Sequence, residues 1–495
     1  MESLLKARKG RGLAEFLAVL AVAAVLLLFF SASSPLYPTN DWVDANCFLT
    51  VARGMRAGMV PYRDLMEQKG PLLYALHLPA VMISGNSFLG AWVLEVLCHA
   101  LFLLAALRIV RLFARKYVAP VLLAVFALML GAYAYCSGSA ESICLPMLAW
   151  SLYDALHYFM EADRPMSLAV LLRNGLLAGC VFWIKYSIVG LHFAWMAVIA
   201  IECLVRRRSL LPPLKMCALF LAGMALATLP WLIYFGVHGA LDDLIQIYFV
   251  QNIVDYGADN GLIHNIVHGL GNDMLNSPML SLLGLAGIAF LLFGLLGRPW
   301  IKVLALAMPA CLCILVYWGG WGRGYTFYVW CAFLPLAAAA LCRLLECLAG
   351  RGRRVLSGVL ALCLAVGCLS WLPFDRRDLL RGLGVPREYT VQSRFAKEIN
   401  KTENPTLLNC GFLDGGFYLA AEVLPTERWF CKLNVNKDEC FAAQSSAVAE
   451  GRVDYVVTNG KTLAELDMDD SRYDELLLQG AYRLYRKKGL SAAAQ

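Results

Sequence analysis

The sequence predicts an all-α polytopic membrane protein of about 11 transmembrane helices, followed by a small external α/β domain. Of the 495 residues, 60% are hydrophobic and only 16% are charged. Apolar runs of about 17 to 25 residues recur along the chain, and roughly 20 apolar residues are needed for a helix to cross a bilayer. After residue 372 the composition becomes that of a soluble domain. We therefore predict a membrane domain, residues 1–372, and a soluble domain, residues 373–495.

The first apolar run, residues 13–32, follows a basic start, and Ser31, Ala32 and Ser33 at its end and just after it resemble a signal-peptide cleavage site. Its 20 residues exceed a usual signal core, and many apolar runs follow it. We therefore predict an uncleaved anchor with a cytoplasmic N terminus.

Basic residues collect in short segments between apolar runs, and such segments are typically retained in the cytoplasm. These clusters are Arg108, Arg111, Arg115 and Lys116; Arg206, Arg207 and Arg208; Arg298 and Lys302; and Arg351, Arg353 and Arg354. Threading the chain between them gives spans at 13–32, 88–107, 118–135, 143–160, 168–184, 187–205, 215–237, 277–297, 301–318, 325–347 and 355–372. This predicts a multi-pass plasma-membrane protein whose C-terminal domain is extracytoplasmic. The net charge of +7 needs no nucleic acid to explain it.

Three segments are predicted to lie on the outer face. The first is the external loop 33–87, and it includes the apolar run 70–83, which would cover only about 21 Å as a helix. If that run crossed, the Arg108 cluster would lie outside, so we predict an interfacial or re-entrant helix. The second, 238–276, carries five aspartates and no lysine or arginine. The third is the C-terminal domain.

The C-terminal domain alternates helix-like and strand-like runs. Residues 391–399 are amphipathic, and the strand-like runs are 406–410, 429–433, 455–458 and 482–485. Three cysteines, Cys410, Cys431 and Cys440, leave open either one disulfide or none.

The segment 40–74 concentrates charge beside an apolar run, with four carboxylates, three arginines and one lysine. Charge next to a bilayer is unfavourable unless it has a function, so this segment is predicted to hold an active site. Residues 42–57 have helical periodicity. Asp41 is placed either to cap this helix or to take part in catalysis, and Asp44 lies at a capping-box position.

The order of motifs in this segment resembles a known enzyme loop. The motifs are D-x-x-x-F at 44–48, G-x-x-P-Y-R-D at 58–64, and an acidic residue before K-G-P-L at 67–72. Together they resemble the first external loop of polyprenol-phosphate-sugar glycosyltransferases of the C-type membrane fold. That superfamily includes protein O-mannosyltransferases and lipid A aminoarabinose transferases. Gly70 departs from the pattern, because several relatives have proline there.

The resemblance continues to about residue 345. It is carried by Glu141 before a predicted span, by the glycine-rich helix that ends at Lys185, and by a late span matching Arg323, Tyr325 and Pro335. It implies that the chain moves a sugar from a polyprenyl-phosphate donor to an extracytoplasmic glycan, lipid or protein.

The resemblance and the chemistry of such a donor assign roles to these residues. Asp44 would be the general base, with Glu141 and Asp41 as further catalytic carboxylates. Cationic side chains would contact the phosphate or snorkel to the headgroups. The candidate substrate-binding residues are Glu67, Lys69, Tyr62, Arg63, Lys185, Arg323 and Tyr325. Asp44 and Glu141 are also candidate oxygen ligands for Mg²⁺ or Mn²⁺.

Two other classes are weighed against the enzyme. A flippase or carrier of lipid-linked saccharides would place charges along a path through several spans, whereas here they cluster on one face. A polymerase or ligase would use a large late external loop with arginines for pyrophosphate, and 238–276 has none. The sequence contains no Walker or dinucleotide-binding motif.

Overall fold

A computed structural model describes residues 2–133, 137–161, 165–255, 261–294, 298–319, 322 and 324–490. Most of these residues are helical. The α-helices are α1 Glu2–Phe30, α2 Val43–Arg56, α3 Pro71–Ile83, α4 Leu89–Phe113, α5 Val118–Tyr133, α6 Ala140–Met160, α7 Leu168–Lys185, α8 Gly190–Arg207, α9 Leu211–Val237, α10 Leu241–Leu244, α11 Asn252–Asp255, α12 Leu262–Asn276, α13 Pro278–Gly294, α14 Pro299–Val316, α15 Leu334–Gly350, α16 Arg354–Asp375, α17 Arg377–Leu380, α18 Val391–Ile399, α19 Phe417–Ala420 and α20 Lys437–Glu450. A π-helix spans Ile245–Gln251, and 3₁₀ helices span Tyr186–Ile188, Tyr325–Phe333, Arg387–Tyr389 and Ala464–Leu466.

Each of the eleven predicted spans contains a helix, but fewer of them have the length and hydropathy of a span. Within the described residues seven helices qualify, or eight if α12 and α13, bent by 113°, count as one broken span. By length and hydropathy, the described residues thus supply seven or eight candidates for the eleven predicted spans. Helix α5 has only 16 residues, and α6 and α8 carry charged side chains: Glu141, Asp154, Glu202, Arg206 and Arg207. The helix α3, predicted not to cross, has 13 residues.

Glycine permits close helix packing where α7 meets α9. A Cβ atom at Gly175 would lie 1.9 Å from the backbone oxygen of Phe220, and one at Gly223 would lie 2.3 Å from that of Leu172. Any larger residue would force the helices apart. This packing fixes the helix that ends at Lys185.

The C-terminal domain is α/β, as predicted. Its sheet has the order β1-β2-β4-β3, with β1 Leu407–Asn409 parallel to β2 Tyr455–Asn459. Strands β3 Tyr473–Gln479 and β4 Tyr482–Lys487 form an antiparallel hairpin. The sheet and α20 enclose a core of buried residues that includes Leu408, Val448, Val456 and Tyr485.

Two details of this domain differ from the prediction. Residues 429–433 form no strand, because their backbone groups bond elsewhere: the carbonyl of Trp429 accepts from Gln444, and that of Phe430 accepts from Tyr418. Strand β3 was not predicted. The helix at 391–399 and the strands near 407, 455 and 482 are confirmed.

Of the two outcomes that the sequence left open for the external cysteines, the structure shows the one without a disulfide. Cys410, Cys431 and Cys440 are free thiols, all buried. The Sγ atom of Cys431 instead lies 3.7 Å from that of Cys47, a residue of α2. Burial raises the pKa of both thiols.

The chain forms two compact units. The helical unit comprises Met1–Ser31, Glu95–Pro230 and Ala258–Arg381. The loop unit comprises Ala32–Leu94, Trp231–Gly257 and Gly382–Gln495. The loop unit thus combines the predicted external loop with the C-terminal domain. The predicted division into domains 1–372 and 373–495 stays a prediction.

Candidate functional site

Helix α2 of the loop unit carries Asp44 in its first turn. Its apolar positions Ala45, Leu49 and Ala52 recur at helical spacing and are buried against Val81 and its neighbours in a small core. The Asp44 side chain is 16% exposed, and it lies at the helix end where the dipole favours a negative charge. Among described residues, its carboxylate has one ion-pair partner and accepts no hydrogen bond.

Asp41 is not the N-cap of α2. The N-cap is Trp42, and no side chain accepts a capping hydrogen bond. Asp41 is exposed and accepts a hydrogen bond of 3.0 Å from Thr39 Oγ1. The capping interpretation of Asp41 and Asp44 is therefore wrong, because helical geometry begins later in the chain. The catalytic role predicted for Asp41 stays a prediction.

Lys69 lies between two carboxylates. Its Nζ atom is 3.9 Å from Asp44 Oδ2 and 4.0 Å from Glu67 Oε1, and it lies 5.8 Å from the centre of the Phe48 ring. Glu67 is held in turn, because its Oε2 accepts from the Lys69 backbone N–H at 2.9 Å and from the Tyr74 hydroxyl. Asp44, Glu67 and Lys69 thus form one cluster. The catalytic and substrate-binding roles given to them from the sequence stay predictions.

Two tyrosines support the backbone of Lys69. The hydroxyl of Tyr62 donates to the Lys69 carbonyl at 2.6 Å, and that of Tyr74 lies 3.0 Å from the same oxygen. Tyr62 is fully buried, its ring stacks on Phe235 at 5.5 Å, and burial raises its pKa well above the ordinary value. Its φ of 70° is unfavourable for a bulky side chain, and such backbone strain tends to occur at functional sites. These contacts are those of a residue that positions Lys69, and sugar binding by Tyr62 stays a prediction.

Arg63 is paired within its own turn. Its guanidinium donates to Asp64 through Nε and Nη2 at 2.8 Å, and through Nη1 to the His238 carbonyl at 3.0 Å. The hydrogen bond from Arg63 holds the pKa of Asp64 below its ordinary value. Substrate binding by Arg63 stays a prediction.

The C-terminal segment 414–431 holds α2 and the following loop in place, which the sequence did not suggest. The Arg428 side chain donates through Nε to the Tyr62 carbonyl at 2.9 Å, and the backbone carbonyl of Arg428 accepts from the Met66 N–H at 2.9 Å. Buried Asp414 accepts from Thr50 of α2 at 2.6 Å. These partners are more than 350 residues apart in the sequence, so no local motif could have revealed them.

The helical unit brings together a second set of predicted residues. Glu141 lies in the first turn of α6, is almost fully buried, and forms an ion pair with Lys185 at the end of α7. Ser139 caps α6 by accepting from the Ser142 N–H. The Lys185 ammonium lies 5.6 Å from the centre of the Tyr325 ring, a cation–π distance. Arg323 lies outside the described residues.

Helix α12 fixes the segment that carries Tyr325. Buried Asp273 accepts from Tyr317 at 2.8 Å, from the Gly324 N–H at 2.9 Å and from Thr326. One and two helical turns earlier, Gly269 and Asn265 also contact this segment: a Cβ at Gly269 would lie 2.6 Å from the Tyr317 ring, and Asn265 donates to the Trp318 carbonyl. In the sequence, Asp273 is only one of five aspartates in the segment 238–276. Its signal was the spacing of Asn265, Gly269 and Asp273 on one helical face.

Among the described residues, no group of three or more His, Cys, Asp or Glu side chains is arranged to hold a metal ion. The Mg²⁺ or Mn²⁺ site suggested by the resemblance stays a prediction.

These features define a multi-pass membrane protein of the C-type glycosyltransferase fold, so the fold expected from the motifs is confirmed. The chain is similar to ArnT from Cupriavidus metallidurans bound to undecaprenyl phosphate, with 15% identity and a TM-score of 0.61 over 98% of this chain and 99% of that one. The apo form of that ArnT has 15% identity and a TM-score of 0.58, over 99% of this chain and 100% of that one.

The chain is also similar to the Archaeoglobus fulgidus oligosaccharyltransferase, with 14% identity and a TM-score of 0.50 over 90% of this chain and 69% of that one. No protein-family model matches the chain, and no curated protein matches it in sequence. The likeness is therefore one of fold.

Proposed function

We propose that this protein is a membrane glycosyltransferase that moves a sugar from a polyprenyl phosphate to an extracytoplasmic acceptor. The observation that carries the proposal is the Asp44 carboxylate, which accepts no hydrogen bond from a described residue and lies 3.9 Å from the Lys69 ammonium. A carboxylate that can still accept a proton, next to a cation, is what transfer from a phosphate-linked sugar requires. The ArnT structure that holds undecaprenyl phosphate supports a lipid-linked donor.

In this mechanism Asp44 is the general base. The acceptor hydroxyl loses its proton to Asp44 as its oxygen forms a bond to the anomeric carbon of the sugar. The bond between that carbon and the phosphate oxygen breaks on the opposite face, and polyprenyl phosphate leaves with the bonding electrons. One acceptor hydroxyl and one lipid-linked sugar thus give one glycoside and one polyprenyl phosphate.

Lys69 is the phosphate partner in the loop unit. Its ammonium can bind the negative charge that grows on the leaving phosphate. Glu67, Tyr62 and Tyr74 keep Lys69 in place, because they fix its backbone N–H and carbonyl. The site therefore needs little rearrangement when the donor arrives.

The Glu141, Lys185 and Tyr325 cluster is a second functional element, in the helical unit. Because the charge of Lys185 is balanced by Glu141, we propose that this pair orients a polar group of the acceptor or donor. Arg323 is proposed as a further phosphate partner. The protein is proposed to lie in the plasma membrane with its N terminus in the cytoplasm and the C-terminal domain outside.

The test uses purified full-length protein reconstituted in liposomes with a radiolabelled polyprenyl-phosphate sugar. A transferase releases free polyprenyl phosphate and labels an acceptor in a total membrane extract. A flippase moves the intact donor between leaflets and releases no free carrier. Efficient transfer from a water-soluble nucleotide sugar, with no lipid carrier present, would rule out the proposed donor.

A further inference from the structure

Two arginines line an open cavity of about 670 Å³ in the loop unit, at the C-terminal end of α2. The wall is formed by Arg53 and Arg56 of α2, by residues 83–86 at and just after the end of α3, and by Glu422 with Leu424. Asp44 is at the other end of α2, about 14 to 18 Å away along the helix axis at 1.5 Å per residue. The cavity is therefore separate from the Asp44 and Lys69 cluster.

Backbone carbonyls hold both guanidinium groups in place without neutralising them. Nη1 of Arg53 donates to the carbonyls of Tyr418 and Val423 at 3.0 and 3.1 Å. Nη1 of Arg56 donates to the Val81 carbonyl at 3.0 Å. Neither arginine has a carboxylate within ion-pair distance among the described residues. In both, the Nε and Nη2 edge has no hydrogen-bond partner in the described part of the chain.

That free edge is the one with which arginine binds oxyanions through two parallel hydrogen bonds. Burial lowers the pKa of Arg53, while the more distant carboxylates of Asp414 and Glu422 oppose this effect. The helix dipole explains basic residues in the last turn of α2, but a dipole requires no open bidentate edge. Two arginines with such open edges line one cavity, and this arrangement fits an anionic ligand.

The position of the cavity suggests where such a ligand would come from. Met82 and Ile83, at the end of α3, are 75% and 52% exposed, although both are large apolar residues. Helix α4, a candidate membrane span, begins at Leu89. Exposed apolar side chains next to a span are typical of a membrane surface, where phosphate headgroups are concentrated.

We propose that Arg53 and Arg56 form a binding site for a phosphate group. Glu422 moderates its affinity, because this carboxylate lies in the same cavity and is held there by Asn86 at 3.3 Å. The phosphate can belong to an anionic lipid headgroup or to a soluble phosphate. The site is independent of sugar transfer.

The experiment measures ligand binding by the full-length protein and does not depend on turnover. In the first arm, thermal unfolding in detergent is followed as sodium phosphate replaces sodium chloride at constant ionic strength. In the second arm, the protein is recovered from nanodiscs of phosphatidylglycerol or phosphatidylcholine, and retained lipid is counted by native mass spectrometry. Binding in the first arm alone identifies soluble phosphate, and binding in the second identifies an anionic headgroup. No binding in either arm overturns the proposal.

Two variants are expected to change the affinity for phosphate in opposite directions. Arg53→Gln/Arg56→Gln should weaken binding about tenfold or more, by the loss of charge-assisted bidentate pairs. The control Arg394→Gln/Lys432→Gln removes the same charge from exposed positions of the same unit and should bind like the wild type. Glu422→Gln keeps the acceptor for Asn86 and should tighten binding several-fold. Because this variant gains affinity, it remains informative if the arginine variant unfolds, and unchanged affinity in it overturns the proposal.

Discussion

The ammonium of Lys69 lies 3.9 Å from the carboxylate of Asp44, within ion-pair range but too far for a direct hydrogen bond. The two groups therefore attract each other while Asp44 keeps both oxygens available to a proton donor. The two side chains can therefore have different roles: the Lys69 ammonium can bind a phosphate while the Asp44 carboxylate accepts a proton.

Replacing Asp44 tests the general base. Asp44→Asn should lower the rate of sugar transfer by roughly a hundredfold or more, the usual range for removing such a base, with little change in donor binding. Asp41→Asn should have a much smaller effect than Asp44→Asn, because Asp41 is exposed and contacts Thr39. Single-turnover kinetics with a radiolabelled donor would measure both. Near wild-type transfer by Asp44→Asn would remove it from the mechanism.

Replacing Lys69 tests the phosphate partner. Lys69→Ala should weaken binding of the polyprenyl-phosphate sugar far more than Lys69→Arg, which keeps a cation at this position. The measurement is equilibrium binding of the donor to protein in nanodiscs, compared with binding of the uncharged polyprenol. Equal donor affinity in the alanine and arginine variants would contradict the assignment.

Asp273 is expected to act through Tyr325, because it holds the N–H of Gly324 and the hydroxyl of Thr326 on either side of that residue. Asp273→Asn and Tyr325→Leu should each lower the turnover number by about tenfold. The turnover number of the double variant should be close to that of the less active single variant, because the effects of coupled residues do not add. His268→Gln, exposed on the same helix, is the control. Additive losses would show that Asp273 has only a structural role.

How much the sequence could predict depends on the sequence distance between partners. Asp44, Glu67 and Lys69 all lie within the segment 40–74, whose concentration of charge was enough to predict a site there. Arg428 and Asp414 act on α2 and its loop from more than 350 residues away, and nothing local distinguishes them from surface charges. The strand predicted at 429–433 failed for the same reason, since its backbone partners are side chains such as Gln444.

Asp414 should make stability depend on pH. Burial raises its pKa above the ordinary value, despite hydrogen bonds from Thr50, Asn409 and the Gly416 N–H. A raised carboxyl pKa means that the folded state binds the proton more tightly than the unfolded state does. Protonation of Asp414 therefore adds to the free energy of unfolding. This added stability is complete at pH values below the unfolded pKa, about 4, and is lost as pH rises through the folded pKa.

Asp414→Asn should remove that dependence. The difference in unfolding midpoint between this variant and the wild type should therefore be largest near neutral pH and shrink as pH falls. Midpoints measured by differential scanning fluorimetry between about pH 4 and 8 would show it. A difference that is constant across this range would contradict the inference.

The proposed topology can be tested at Asn86, which is exposed between α3 and α4. The basic clusters fit the proposed orientation only if α3 does not cross the membrane, so Asn86 should lie outside. In a cysteine-free background, Asn86→Cys should react with a membrane-impermeant thiol reagent in intact cells. The control Arg351→Cys, exposed in a proposed cytoplasmic cluster, should react only after permeabilisation. Labelling of Asn86→Cys only after permeabilisation would show that α3 crosses, and the predicted sidedness of the chain from Phe88 to Lys116 would then be wrong.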